Sequence, residues 1–154
     1  MLADFQQAMA DLTASPRLCN DARRDPGLMA RHYTLSPMEA RRLQAMVEHP
    51  GMACACIVYR ANRLAPLALN LRATCAALGP ALRPLADAYW AEYPEGNVHF
   101  YIESARFCDF VADALAQGAE LPEGVAAALA VDRARVRAAL AESRLEARRA
   151  ATGA

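Results

Sequence analysis

The segment between residues 57 and 110 carries apolar residues at three- and four-residue spacing, and this periodicity most constrains how the chain folds. Leu71 and Leu78 fall on one face of a helix when each residue advances by about 100°. Residues 79–80 (Gly-Pro) and the polar segment 94–97 interrupt the pattern with residue types typical of helix ends and loops. The segment therefore predicts helices that pack together and turn sharply between them.

Capping signals and composition extend the helical prediction to the whole chain. Ser36 and Glu39 flank a proline in the spacing of a capping box, which marks a helix start. Of the 154 residues, 55% are hydrophobic, and abundant Ala and Leu favour helix. We expect an all-α, single-domain bundle of about six to eight helices. Within it we expect short N-terminal helices over residues 1–50, core helices over 51–117 and a C-terminal helix over 118–154.

Three details of the helix pattern are predicted from single residues. Pro66 lies inside a helix expected to run from residue 52 to residue 78, where it should cause a kink or a break. Val98 is expected to begin the next long helix after the 94–97 loop. Asp132 is expected to break or cap the C-terminal helix.

Composition narrows the classes of function. Seventeen basic and seventeen acidic residues cancel, which argues against nucleic acid or an anionic membrane as a partner. No apolar run reaches the length of a membrane span. The five cysteines lack the spacing of a secreted disulfide framework, and the amphipathic first residues do not resemble a signal peptide. We therefore expect a cytoplasmic protein with reduced thiols.

No complete catalytic motif is found in the sequence. It contains no nucleophile elbow, no phosphate-binding glycine loop and no metalloprotease helix, which disfavours catalysis by this chain alone. His49, Cys54 and Cys56 suggest a metal site, but the two cysteines are two positions apart and face different sides of a helix. A stand-alone thiol- or metal-binding protein is one alternative hypothesis.

Two charged residues occupy apolar helix faces. With Ile57 taken as an inward residue, Arg60 falls within the leucine cluster of its helix. Glu103 falls among Phe100 and Phe107, which we expect on the buried stripe of the following long helix. A charge that faces a core is costly unless it is paired, so we expect Arg60 to meet Glu103, or else Asp109.

Other arginine and aromatic residues predict a contact surface. Mixtures of aromatic side chains and arginine are enriched at protein and peptide interfaces, although ordinary solvated helix faces have a similar composition. The predicted contact residues are Arg63, Arg72, Tyr89, Trp90, His99, Tyr101 and Arg106.

The region 59–111, about a third of the chain, resembles a known family. The family is named for DNA binding, and its members are partner proteins of multinuclear non-haem iron oxidative enzymes, including the C component of methanobactin biosynthesis. The pattern is Tyr-Arg-x-Asn, a leucine-rich helix that ends at Gly, a Tyr-rich helix, and a Phe-rich helix that ends Arg-Phe-x-x-Phe. The residues that carry the resemblance are Tyr59, Arg60, Asn62, Gly79, Tyr89, Arg106, Phe107 and Phe110.

The resemblance implies a non-catalytic subunit. Such a subunit would bind a ribosomally made precursor peptide and dock it onto a multinuclear non-haem iron enzyme that oxidises peptide cysteines. The iron would belong to the partner, and this chain would hold no cofactor. A DNA-binding regulator is a further alternative, but zero net charge and the absence of a basic recognition helix argue against it.

Overall fold

The computed structural model describes residues 2–96 and 99–152, and every regular element in these two ranges is helical. The all-α prediction is confirmed. None of the described helices combines the length and the hydropathy that crossing a membrane requires. In chain order the elements are α1 (Leu2–Ala14), α2 (Pro16–Arg24), α3 (Leu28–His32), α4 (Pro37–Glu48), α5 (Gly51–Asn70), α6 (Arg72–Leu78), a 3₁₀ turn (Gly79–Ala81), α7 (Leu82–Glu92), α8 (Phe100–Ala116) and α9 (Val125–Thr152).

The chain divides into two compact units, Met1–Asn62 and Arg63–Ala154. The boundary lies within α5, whereas the predicted subdivision began the core helices at residue 51. Each unit has its own apolar core.

In the N-terminal unit, α1, α2, α3 and α4 pack around a small core. The Ser15 hydroxyl caps α2 by accepting from the Leu18 amide at 3.1 Å. At the start of α4, Ser36 and Glu39 form both hydrogen bonds of the predicted capping box. The buried residues of this core are Ala8, Leu12, Cys19, Ala22, Met29, Leu43, Val47, Met52 and Cys56.

In the C-terminal unit, the long helix α9 packs against α6 and α8. Aromatic rings from α7 and α8 meet in its core, with the Tyr89 and Phe107 centroids 5.3 Å apart in an edge-to-face arrangement. Leu67, Leu71 and Val111 are also fully buried here. The predicted start of α8 at Val98 lies outside the described residues.

The helix break expected at Pro66 occurs instead at Leu71, where the backbone leaves the helical region with φ −120° and ψ 47°. Pro66 stays within α5, and its carbonyl accepts from the Ser104 hydroxyl at 3.0 Å. At the last residue of α5, the carbonyl of Asn70 accepts from Arg135 at 2.8 Å. Polar groups from α8 and α9 therefore take up backbone acceptors at the point where the helix ends.

Asp132 does not interrupt α9, which is continuous from Val125 to Thr152. The prediction of a break at this residue is wrong, because its carboxylate caps a different helix. Its Oδ2 accepts from the Thr74 amide at 2.8 Å and from the Thr74 hydroxyl at 2.9 Å, while Oδ1 accepts from Arg135 at 2.7 Å. The N-cap residue of α6, Leu71, has no capping side chain, so α9 supplies the cap.

Replacing Asp132 with Ala should lower the free energy of unfolding by about 2–3 kcal/mol. The change removes a buried, charged hydrogen-bond acceptor and leaves the first turn of α6 without its cap. Urea denaturation followed by circular dichroism measures the loss.

Two control variants separate the cap from a general effect of losing charge on α9. Thr74→Val removes only the hydroxyl bond and should cost about 1 kcal/mol, whereas exposed Glu142→Ala should change stability by less than about 0.5 kcal/mol. Equal effects of Asp132→Ala and Glu142→Ala would show that the cap does not support α6.

Candidate functional site

The C-terminal unit contains a buried ion pair between Arg63 of α5 and Glu103 of α8. Glu103 Oε1 accepts from Arg63 Nη2 at 2.7 Å and from Nε at 3.1 Å. The two side chains are only 6% and 1% exposed, so water screens their attraction weakly. Such a pair is tolerated in a core only when its hydrogen-bonding groups are satisfied.

The remaining donors of Arg63 bind the end of α7. Its Nη1 donates to the carbonyls of Tyr93 at 2.8 Å and Pro94 at 3.2 Å. These carbonyls follow the last residue of α7, where the helix dipole is negative and favours a cation. Glu103 lies in the first turn of α8, where the dipole is positive and favours an anion. One arginine therefore connects the C-terminal end of α7 to the N-terminal end of α8.

Aromatic rings surround the Arg63 guanidinium. Its Cζ lies 5.6 Å from the Tyr89 ring centroid and 5.8 Å from that of Trp90, within the range of a cation–π interaction. Burial and the negative charge of Glu103 raise the pKa of Tyr89, with the positive charge of Arg63 acting in the opposite direction. The phenol is thus held neutral beside the ion pair.

Helical spacing identified Glu103 as a carboxylate that needs a partner but did not predict its ion pair with Arg63. The phase of α5 was set from Ile57, which is 67% exposed and not an inward residue. That phase was also extended through Leu71, although α5 ends at Asn70. Measured from the buried Leu67, Arg63 lies about 40° away and shares the inward face. Arg63 was predicted to lie on the contact surface, but its side chain is buried.

Asp109, the second partner proposed for Arg60, has an exposed side chain on α8. It forms ion pairs with two arginines of α9, Arg133 and, at 3.4 Å, Arg137. It is therefore part of a surface contact between α8 and α9. The pairing of Arg60 with Glu103 stays a prediction.

The seven predicted contact residues differ in how much of each side chain is exposed to solvent. Tyr89 is fully buried, like Arg63, so neither offers a surface to a partner in this structure. Trp90 and His99 are half-buried, and the His99 and Tyr101 rings lie 6.1 Å apart. The exposed members of the set are Arg72, Tyr101 and Arg106.

Two further aromatic residues, Tyr93 and Phe100, are exposed although the sequence pattern did not indicate it. Tyr93 is 38% exposed and Phe100 is 46% exposed, and with Tyr101 they flank the connection between α7 and α8. Phe100 was assigned to the buried stripe of its helix, but it is exposed at the first position of α8. The sequence does contain a sign of this exposure. Both residues lie close to the polar loop 94–97, and residues next to a polar loop are often exposed. We call Tyr93, Phe100 and Tyr101 the α7–α8 surface.

Arg106 does not lie on the same side of α8 as Tyr101. Five residues separate them, which places their side chains about 140° apart around the helix axis. Arg106 lies instead near Tyr93, where Glu92 raises the pKa of the phenol and Arg106 acts to lower it. The exposed Arg106 and Tyr101 thus lie on different faces of α8, and the face with Arg106 is the one near Tyr93.

The three residues of the proposed thiol or metal site lie in different environments. Cys54 is exposed, Cys56 is buried in the N-terminal core, and His49 Nδ1 accepts from the Gly51 amide at 3.0 Å. Across the described residues, no three His, Cys, Asp or Glu side chains are grouped as a metal ion would require.

Comparison with known proteins adds no relationship to these observations. No protein-family model, no curated protein and no solved structure matches the chain.

Replacing Arg63 with Met should lower the free energy of unfolding by about 3–5 kcal/mol. The substitution leaves the carboxylate of Glu103 buried without its main partner and frees two carbonyls at the end of α7. Exposed Arg106→Met is the matched control and should cost less than about 0.5 kcal/mol.

A double variant distinguishes loss of the ion pair from loss of packing. Arg63→Met combined with Glu103→Leu removes both charges and should be more stable than Arg63→Met alone. Strictly additive losses in urea denaturation would mean that the two charges do not depend on each other.

The Tyr89 phenol should make the protein less stable at high pH. Because its pKa is raised in the folded state, the native protein retains a proton that the unfolded chain loses near pH 10. Its contribution is complete below about pH 10 and is lost as the pH rises further. Urea denaturation at a series of pH values should show a shallower decline for Tyr89→Phe, and parallel curves would contradict the assignment.

Proposed function

We propose that this chain is a non-catalytic accessory subunit that binds a ribosomal precursor peptide and docks it onto a multinuclear non-haem iron enzyme. The enzyme, which carries the iron, oxidises cysteine residues of the peptide. The chain acts in the cytoplasm as one partner of a heterodimer. The α7–α8 surface makes the protein contact.

The observation that carries this proposal is the exposure of three aromatic side chains beside two helix ends that Arg63 holds from within. Arg63 binds the end of α7 and the start of α8 together, so Tyr93 and Phe100 are attached to a fixed base. Aromatic residues on a preorganised surface lose little conformational entropy on binding and dominate many interfaces. Such a surface suits a protein or peptide ligand.

The family resemblance supplies the nature of the partners. It covers residues 59–111, which include α7, most of α8 and the α7–α8 surface. Two of the residues that carry it, Tyr89 and Phe107, lie in the core, and the Tyr89 ring contacts that of Tyr93 with centroids 5.3 Å apart. The residues that carry the resemblance thus support the α7–α8 surface, and the exposed aromatic residues make the contact with the partner.

Co-purification of the tagged chain with an iron enzyme from the same cells tests the proposal. The purified enzyme and the candidate precursor peptide are then combined with and without this chain, and mass spectrometry follows oxidation of the peptide cysteines. We expect modification to depend on the chain. Because truncating a central aromatic contact commonly costs at least 2 kcal/mol, Phe100→Ser with Tyr101→Ser should weaken the complex by about 30-fold or more.

Exposed apolar residues of α9 provide the control. Val131 and Leu145 are 64% and 54% exposed, and their replacement by Ser should leave affinity unchanged. Arg106→Ser reports whether the partner also contacts the other side of α8. A chain that stays monomeric with both enzyme and peptide present, or a co-purified protein without iron, would contradict the proposal.

A further inference from the structure

Two cysteine thiols meet in the core of the N-terminal unit. Cys19 of α2 and Cys56 of α5 lie with their Sγ atoms 3.9 Å apart, although 37 positions separate them in sequence. The two residues are only 2% and 4% exposed. A sulfur–sulfur distance near 4 Å is van der Waals contact, and a disulfide would require an approach of about a further 2 Å.

A single carbonyl holds both thiols in place. The Sγ atoms of Cys19 and Cys56 lie 3.0 and 3.4 Å from the carbonyl oxygen of Leu12. In a continuous helix that oxygen would accept from the amide four residues later, but this position is Pro16, which has no N–H. The proline thus leaves an acceptor unsatisfied at the end of α1, and the two thiols bind it.

The charge balance of the site favours a disulfide over a metal complex of the two thiolates. Burial and the neighbouring Cys56 raise the pKa of Cys19, and only Arg23 acts in the opposite direction. The alternative is that both sulfurs bind a soft monovalent cation as thiolates. That complex would leave a net negative charge in this core, which is costly. A disulfide carries no charge and is apolar.

We propose that Cys19 and Cys56 form a reversible dithiol–disulfide pair that links α2 to α5 when the N-terminal unit is oxidised. This pair is independent of the α7–α8 surface. In the reduced form the thiols donate to Leu12, and the disulfide removes both donors from that carbonyl. The reduced form therefore keeps an interaction that the oxidised form loses, which favours reversible over permanent oxidation.

The oxidant is a low-molecular-weight disulfide such as glutathione disulfide. One protein thiolate attacks a sulfur of the oxidant, forms a mixed disulfide and releases one small thiol. The second protein thiolate attacks the protein sulfur of that mixed disulfide, which forms the Cys19–Cys56 bond and releases the second small thiol. Two protein thiols lose two protons and two electrons, and the S–S bond of the oxidant is reduced to two thiols.

The link would stabilise the N-terminal unit against unfolding. It closes a loop that contains α3 and α4, so it reduces the freedom of the unfolded chain. It also joins the first half of α5 covalently to α2. Oxidation should therefore raise the urea concentration at the unfolding midpoint, and reduction by dithiothreitol should reverse the change.

The experiment equilibrates the native full-length chain in buffers with a series of reduced to oxidised glutathione ratios. Cys54 is exposed and lies on the same tryptic peptide as Cys56, so Cys54→Ser is introduced to make the assignment unambiguous. After acid quenching, alkylation and digestion, mass spectrometry should find peptide 18–23 linked to peptide 43–60. The link should appear only at oxidising ratios and disappear with dithiothreitol.

Matched variants complete the test. Cys19→Ala and Cys56→Ala, each in the Cys54→Ser background, should lose both the linked peptide and the oxidation-dependent midpoint shift. The linked peptide is measured in protein that retains both cysteines, so it decides the outcome even if an alanine variant fails to fold. Glutathione adducts alone, a link that forms only in urea, a link that persists at strongly reducing ratios, or a bound metal that blocks the thiols would each overturn the proposal.

Discussion

The arrangement of α7 and α8 depends on the hydrogen bonds and the ion pair that the Arg63 guanidinium makes. The guanidinium places a positive charge at the carbonyl end of α7 and pairs with Glu103 at the amide end of α8. Both charges lie where the helix dipoles favour them, and the aromatic faces of Tyr89 and Trp90 provide further attraction. These contacts offset the cost of burying two charges and fix the helix ends that carry the exposed Tyr93 and Phe100.

A similar use of side chains from distant segments shapes the helix ends of the C-terminal unit. Asp132 caps α6 from α9, and Arg135 binds the last carbonyl of α5. In the N-terminal unit, Cys19 and Cys56 satisfy the carbonyl that a proline leaves without a donor. In each case a local backbone group is completed by a residue remote in sequence, because buried polar groups must find partners.

The candidate site was partly predictable. Glu103 stood out because a carboxylate fell among apolar residues, and that inference needed only helical spacing. Its pairing with Arg63 was missed because the phase of α5 depends on which residues are inward, and Ile57 is exposed. Phe100 was misassigned for a related reason, since its exposure depends on where α8 begins. Periodicity determines the relative angles of residues but not which angle faces the core.

By itself, the sequence determined the helical class, the capping box at Ser36 and most of the short N-terminal helices, because these depend on local spacing, caps and prolines. Tertiary structure decided that α5 ends at Asn70 and not at Pro66, and that Asp132 caps another helix instead of breaking its own. A proline removes one backbone donor at a known position. α5 continues through Pro66 despite that loss and ends at Asn70, whose carbonyl is bound by Arg135 of α9, a residue remote in sequence.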